Sequence, residues 1–384
     1  MKLKTSQPSR RGLLRGAAGV GAAVAGFPML NFGAYQAFAD SPTKYSGRAV
    51  GLVERSLVID MLGVLAMDDH DPLFASKLTP AKAQEFRSSG INVFHNSFGL
   101  GGPNAYADVA VYMAAWQGFV ARNADLFFLV DKAADLDRAK PEKKIAVITG
   151  VQNAEHFRTP ADVKMFYDLG QRCAQLTYNS QTLIGSGATE RVDGGVSDFG
   201  ASIIAAMNAA GMLVDVSHCG DRTTLDAIDI SKGPIAFTHS NCRALNNHPR
   251  LKTDEAIKKL AAKGGVMGIT GVRNFVWPTE PTTIDNIVDH IDHVAKLVGI
   301  EHVGVGTDSD LNGDDDMAPA IRAQLLAYYK SSYAFRDKLD IEGFDHPKKI
   351  YDLTEAMIRR GYSDANIQAV LGGNFRRLLG IVWA

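Results

Sequence analysis

The chain has 384 residues, with 41 Lys+Arg against 42 Asp+Glu, 46 % apolar residues, 37 Gly, 14 Pro and only 3 Cys. Such apolar content excludes a disordered chain, and three cysteines exclude a disulfide-built scaffold. The near-neutral charge averages two unlike parts. Residues 1–39 hold Lys2, Lys4, Arg10, Arg11 and Arg15 and no acid; removing those five from 41 leaves 36 basic against 42 acidic residues, a formal −6 on the remainder. An acidic body argues against a nucleic-acid partner, which demands a basic face.

At the amino terminus, Ser9-Arg10-Arg11-Gly12-Leu13-Leu14-Arg15 precedes an apolar Gly/Ala-rich stretch and then Ala37-Phe38-Ala39, a small-residue cleavage signature. The segment resembles a bacterial twin-arginine export signal, which implies a cleaved leader over 1–39, a mature chain over 40–384 and a periplasmic or exported location. A membrane anchor is the competing reading, disfavoured by the glycines and Pro28 that interrupt the stretch. Cys173, Cys219 and Cys242 lie in or beside apolar runs and are expected to be buried free thiols.

From residue 50 the chain repeats one unit: a short β-branched run, a polar or Gly-rich turn, then an amphipathic helix. Strands are predicted over Ser56–Leu62, Ile91–His95, Lys144–Thr149, Gln175–Tyr178, Leu213–His218, Ile235–His239, Val266–Thr270 and His302–Asp308. Between them, Thr282 or Thr283 caps a run of Ile284, Ile287, Val288, Ile291, Val294, Leu297 and Val298 that Gly299 ends. Ser363 is predicted to cap a helix over Asp364–Leu371, stopped by Gly372-Gly373. Eight strands with crossover helices predict one α/β domain, a (β/α)₈ TIM barrel. An open doubly wound sheet is the alternative, but no GxGxxG follows the first strand.

In such a barrel the carboxyl ends of the strands surround the site. Those positions hold Asp60, His95, Thr149 with Gln152 beyond it, Tyr178, His218, His239, Thr270 and Asp308. His218 and His239 close consecutive apolar strands, so their imidazoles are candidates to share one metal ion. Asp308 is placed to bind metal, to accept a proton from water or to hold an ammonium group, with a helix N-cap as the plainer role.

Leu213-Val-Asp-Val-Ser-His218, Ala236-Phe-Thr-His-Ser240, His248-Pro-Arg250, Lys263-Gly-Gly265, Val303-Gly-Val-Gly-Thr-Asp308 and Gly372-Gly-Asn374 together resemble the membrane (renal-type) dipeptidase family, peptidase family M19. The resemblance implies an amidohydrolase-type barrel in which two zinc ions hydrolyse dipeptides through a bridging water, and it implies a homodimer. By resemblance His218 and His239 match the histidine ligands of one zinc, Arg250 the arginine that binds the substrate carboxylate, and Asp308 the active-site aspartate.

The first half departs from that pattern. Where the family's first strand ends Asp-Gly-His-Asn-Asp, this chain reads Asp60-Met61-Leu62-Gly63-Val64, and neither Leu62 nor Val64 can bind metal through its side chain. Gln152 occupies the place of the bridging glutamate, and Tyr178 stands where a substrate-side histidine follows the fourth strand. Other carboxylates and imidazoles are near in sequence. Glu155 supplies a carboxylate if the turn shifts, His95 faces the site, and Asp68-Asp69-His70-Asp71 and Asp314-Asp315-Asp316 read as solvated loops.

The leading expectation is therefore an exported hydrolase with one Zn²⁺ on His218 and His239. Asp308 serves as the catalytic group, and Arg250, Tyr178 and Gln152 bind a small carboxylate-bearing substrate such as a dipeptide. The alternative is a metal-independent lyase-like or carboxylate-binding protein on the same barrel, with Leu62 and Val64 forming an apolar corner.

Overall fold

The computed structural model describes residues 44–64, 76–315 and 319–383. The leader, Asp68 to Asp71, Asp316 and the side chain of Val64 lie outside the described parts. Eight parallel strands close on themselves: β1 Ile59–Asp60, β2 Val93–Phe98, β3 Ile145–Val151, β4 Gln171–Gln175, β5 Leu213–Asp215, β6 Ala236–Ser240, β7 Val266–Ile269 and β8 Val303–Val305. Each pairs with the next in sequence, and β1 pairs with β8 through Asp60 and Val305. This is the predicted (β/α)₈ barrel. A short strand Phe127–Leu129 lies along the start of β3, and Gly63–Val64 pairs with Ser309–Asp310 at the mouth.

The fourth strand lies earlier than predicted. Gln171 and Arg172 disguise it as a turn, yet both are buried. The Arg172 guanidinium is satisfied by the Asp131 carboxylate and by the carbonyls of Asp131, Tyr167 and Gln171, so the polar residues can enter the sheet. Thr283 does cap the helix Ile284–Val298, with Asn286 completing a capping box, and Gly299 ends it. The Gly372-Gly373 stop holds: Gly372, at φ 177° and ψ −18°, leaves the helical conformation and kinks the chain between the helix that starts at Asp364 and the last helix, Asn374–Val382. A Cβ on Gly372 would stand 2.0 Å from the Leu57 carbonyl oxygen, so the same glycine permits close approach to the start of β1.

Inward-facing positions grade from apolar to polar along the barrel. Ile59, Val93, Ala146, Cys173, Leu213, Ala236 and Val266 form the lower layer, closed from below by Phe375, Leu378 and Leu379 of the last helix. Two residues further along, the same strands present His95, Gln175, Asp215 and Thr238, all buried. The apolar plug gives rigidity, and the polar layer above it gives the site. A separate apolar cluster of Leu251, Val272, Phe275, Tyr333 and Leu339 roofs the mouth. The three cysteines are buried and free, as expected.

Candidate active site

His239 is aimed by a defect in the sheet. The β6–β7 register shifts between Phe237 and Ser240, which pushes the Thr238 carbonyl inward. The carbonyl fits because β7 and β8 carry glycine there: Cβ atoms on Gly268 and Gly306 would fall 2.1 and 1.9 Å from it. Past the end of β5, His218 meets His239 across the mouth, and the two Nε2 atoms are 2.9 Å apart.

Hydrogen bonds on the far side of each ring decide what that approach means. His218 Nδ1 lies 2.9 Å from Asn179 Oδ1, an atom that only accepts, so Nδ1 carries the proton. His239 Nδ1 lies 2.8 Å from Thr238 Oγ1. The Thr238 hydroxyl donates to Asp215 Oδ2 at 2.6 Å, which leaves its oxygen to accept from His239. Both Nε2 atoms then present lone pairs to each other. Burial, with Arg250 next in effect, lowers the pKa of each ring well below 6.5, so the rings are neutral. Two neutral nitrogen donors facing at this distance repel unless a cation lies between them. Nitrogens bound to one tetrahedral zinc at roughly 2.0–2.1 Å stand about 3.3 Å apart, a few tenths of an ångström from what is found.

The pair offers two nitrogen ligands that one divalent ion would share. No third side chain joins them, and no second set is supplied: among the described residues no group of three or more His, Cys, Asp or Glu side chains gathers as a metal site. Leu62 is fully buried, and its backbone carbonyl accepts from Asp308 N at 2.7 Å. Gln152 donates from Nε2 to the Ser97 carbonyl at 3.0 Å and leaves Oε1 without a donor. Glu155 Oε2 accepts from Gly102 N at 2.7 Å and Asn153 Nδ2 at 3.1 Å, bonds within the loops after β2 and β3. His95 is buried and bonded through Nδ1 to the Met61 carbonyl at 2.6 Å, while its Nε2 has no partner. It lies near enough to His239 to depress that ring's pKa.

Asp308 and His218 share a cleft walled by Tyr178, Phe275, Tyr329 and Tyr333. Asp308 has φ +56°, a left-handed backbone that Asp tolerates better than most residues. Burial raises its pKa to about 7, against the pull of Arg250 and with a push from Asp60 and Asp215. Asp60, expected among the site residues, instead clamps neighbouring strands: it accepts from Thr307 N at 2.8 Å and Thr307 Oγ1 at 2.6 Å.

Arg250 is fully buried, with one guanidinium nitrogen on the Ser217 carbonyl, another on the His239 carbonyl at 3.0 Å, and Nε unpaired. It braces the backbone beside both histidines. Tyr178 stacks on His218 with centroids 4.2 Å apart and shares a 2.5 Å hydrogen bond with the Tyr329 hydroxyl, so its own hydroxyl faces the roof. Asp314 corrects the expectation of a solvated loop. It is buried, its pKa raised well above 3.8 by burial and by Asp340 and Asp310. Asp315 and Asp340 exchange bonds with each other's backbone: Asp315 accepts from Leu339 N and Asp340 N, and Asp340 from Asp314 N and Asp315 N. That staple joins the two ends of the roof.

The closed barrel with polar residues at its carboxyl ends places the chain in the class of (β/α)₈ barrels whose site lies at the mouth. Residues 101–319 match the profile of membrane dipeptidases, peptidase family M19, and the chain belongs to that family. It is 31 % identical over 268 residues to dipeptidase verJ of Clonostachys rogersoniana, covering 68 % of this chain and 62 % of that protein. It is 37 % identical over 196 residues to an uncharacterized dipeptidase of Schizosaccharomyces pombe, covering 49 % and 47 %. The match thus spans between about half and three-fifths of these relatives' lengths. Among solved structures, an amidohydrolase from Pseudomonas aeruginosa superimposes with a TM-score of 0.75 at 30 % identity, over 87 % of this chain and 99 % of that one. The probable dipeptidase PvdM from the same organism shares the fold, with a TM-score of 0.73 at 19 % identity over 88 % and 98 %.

Proposed function

We propose that this protein is an exported metal-dependent hydrolase of dipeptides or related amides that carry a free carboxylate, working with one divalent ion, zinc first among candidates. The observation that carries the reading is the meeting of the His218 and His239 Nε2 atoms at 2.9 Å beside the cleft that holds Asp308. Family membership, through relatives named as dipeptidases, supports the reaction class. The leader-like sequence of residues 1–39 supports export.

His218 and His239 would hold the ion, which supplies Lewis acidity toward a water and the amide carbonyl. Asp308, at about pKa 7, is matched to neutral-pH proton transfer. Its carboxylate takes a proton from the attacking water and returns it to the departing amine. The unpaired Nε–H of Arg250 is offered to the substrate carboxylate, while its other nitrogens hold the histidine-bearing backbone in place. Gln152 Oε1 is a neutral acceptor suited to the substrate's amine. Tyr178 and Tyr329 form the wall against which a side chain packs.

The loss of metal-binding side chains at Leu62 and Gln152 favours a second reading, a metal-independent protein that binds carboxylates. One experiment separates the two. The chelator-treated protein is assayed on a dipeptide panel before and after return of zinc or manganese. Activity that is lost and then restored supports the hydrolase; binding of carboxylates that ignores the chelator supports the alternative.

A further inference from the structure

We propose that Asn179 and Thr238 are positioning residues that fix the tautomers of His218 and His239, so that both Nε2 lone pairs are delivered to one point. The inference rests on the metal-site reading for its consequence, but the tautomer lock itself belongs to the metal-free protein.

Asn179 follows β4 with φ +62°, a conformation in which glycine would be at ease and asparagine is tolerated. Its backbone carbonyl is already used by Thr189 N and Thr189 Oγ1, both at 3.0 Å, so turn formation does not need the side chain. The side chain is buried and gives Oδ1 to His218. That orientation leaves Nδ2 buried without a hydrogen-bond partner. Tyr178, stacked on the other ring face at an interplanar angle of 23°, stops His218 from rotating away.

The lock on His239 has two steps. Asp215 Oδ1 is filled by Ser217 N, Ser217 Oγ and Thr238 N, and Oδ2 takes the Thr238 hydroxyl proton. A hydroxyl has one proton, and the charge-assisted bond to the carboxylate claims it. Thr238 Oγ1 can then only accept from His239 Nδ1. Asp215 thus sets the tautomer of a ring it does not touch, acting through Thr238.

The test uses the full chain with ¹⁵N-labelled histidine, freed of metal with chelator and held at one pH where the imidazoles are neutral. Two-bond ¹H–¹⁵N correlations read which nitrogen of each ring carries the proton, and titration with zinc alone reads affinity. The proposal expects the Nδ1–H form at both rings. In Asn179→Gly, which relaxes the left-handed backbone, it expects an equal or higher melting temperature, a mixed tautomer at His218 and zinc bound roughly 10–100-fold more weakly. Asn179→Asp keeps an acceptor and restores both readouts. Thr238→Val gives the same loss at His239, and Thr238→Ser restores it. A purely structural role leaves tautomer and affinity unmoved in the Gly and Val variants, and that result overturns the proposal, as does an Nε2–H form at either ring of the wild type. If the wild type shows both Nδ1–H rings and binds no zinc, the lock stands and the metal reading falls.

Discussion

His218 Nε2 and His239 Nε2 face each other at 2.9 Å while each Nδ1 is hydrogen-bonded elsewhere, so the protein's polar mouth is assembled around this imidazole pair. A ligand that binds only this folded arrangement stabilises it by mass action. Zinc at a free concentration 1,000-fold above its dissociation constant should add about 4 kcal/mol and raise the melting temperature by several degrees. In His218→Ala and His239→Ala that rise should vanish. A thermal scan with and without zinc checks it; an undiminished rise in both variants would place the ion elsewhere.

Asp308 gives a pH prediction with a definite sign. Its folded pKa of about 7 exceeds the ordinary 3.8, so between those values the folded chain holds a proton that the unfolded chain has lost. Stability from this group is full below about pH 4 and is lost as pH rises through 7. Asn accepts the same left-handed backbone without the charge. Asp308→Asn should therefore be more stable than wild type at pH 8, by on the order of 2–4 kcal/mol, with the gap closing toward pH 4. The same variant should lose on the order of 10²–10⁴-fold in kcat/KM. Urea denaturation at three pH values, paired with kinetics, tests both halves.

The bulge that aims His239 depends on missing side chains. Gly306→Ala puts a Cβ 1.9 Å from the Thr238 carbonyl oxygen, and that backbone cannot yield without moving His239. Overpacking of this kind costs about 1–3 kcal/mol. Zinc affinity should fall along with the melting temperature. A variant that melts early yet binds zinc normally would show that the bulge does not position the ring.

Tyr329→Phe deletes the hydroxyl that joins the roof to Tyr178. The bond is worth about 1 kcal/mol, so KM should rise up to about tenfold with kcat less affected. Equal changes in kcat and KM of opposite sign would show that the tyrosine acts on the reacting atoms.

The barrel is legible because strands buried on both faces read as continuous apolar runs, separated by amphipathic crossover helices, and the two strand-ending histidines are visible as the last residues of such runs. The roles of Asn179, Asp215 and Thr238 are not. Each reads as an ordinary polar residue near a strand end, and only the hydrogen-bond accounting around both rings gives it meaning. Asp314 reads as solvent-facing because three acids in a row usually are, whereas the staple between Asp315 and Asp340 draws it inward. Arg172 hid the fourth strand for a similar reason: a charge is excluded from a sheet only when nothing there can satisfy it.

Anomalous diffraction at the zinc absorption edge, on crystals of the wild-type protein grown with zinc, tests the central claim most directly. The account predicts one peak in the mouth, roughly 2.0–2.1 Å from both His218 Nε2 and His239 Nε2. No peak between those rings, or a pair of peaks with the second at the Leu62 corner, would contradict it.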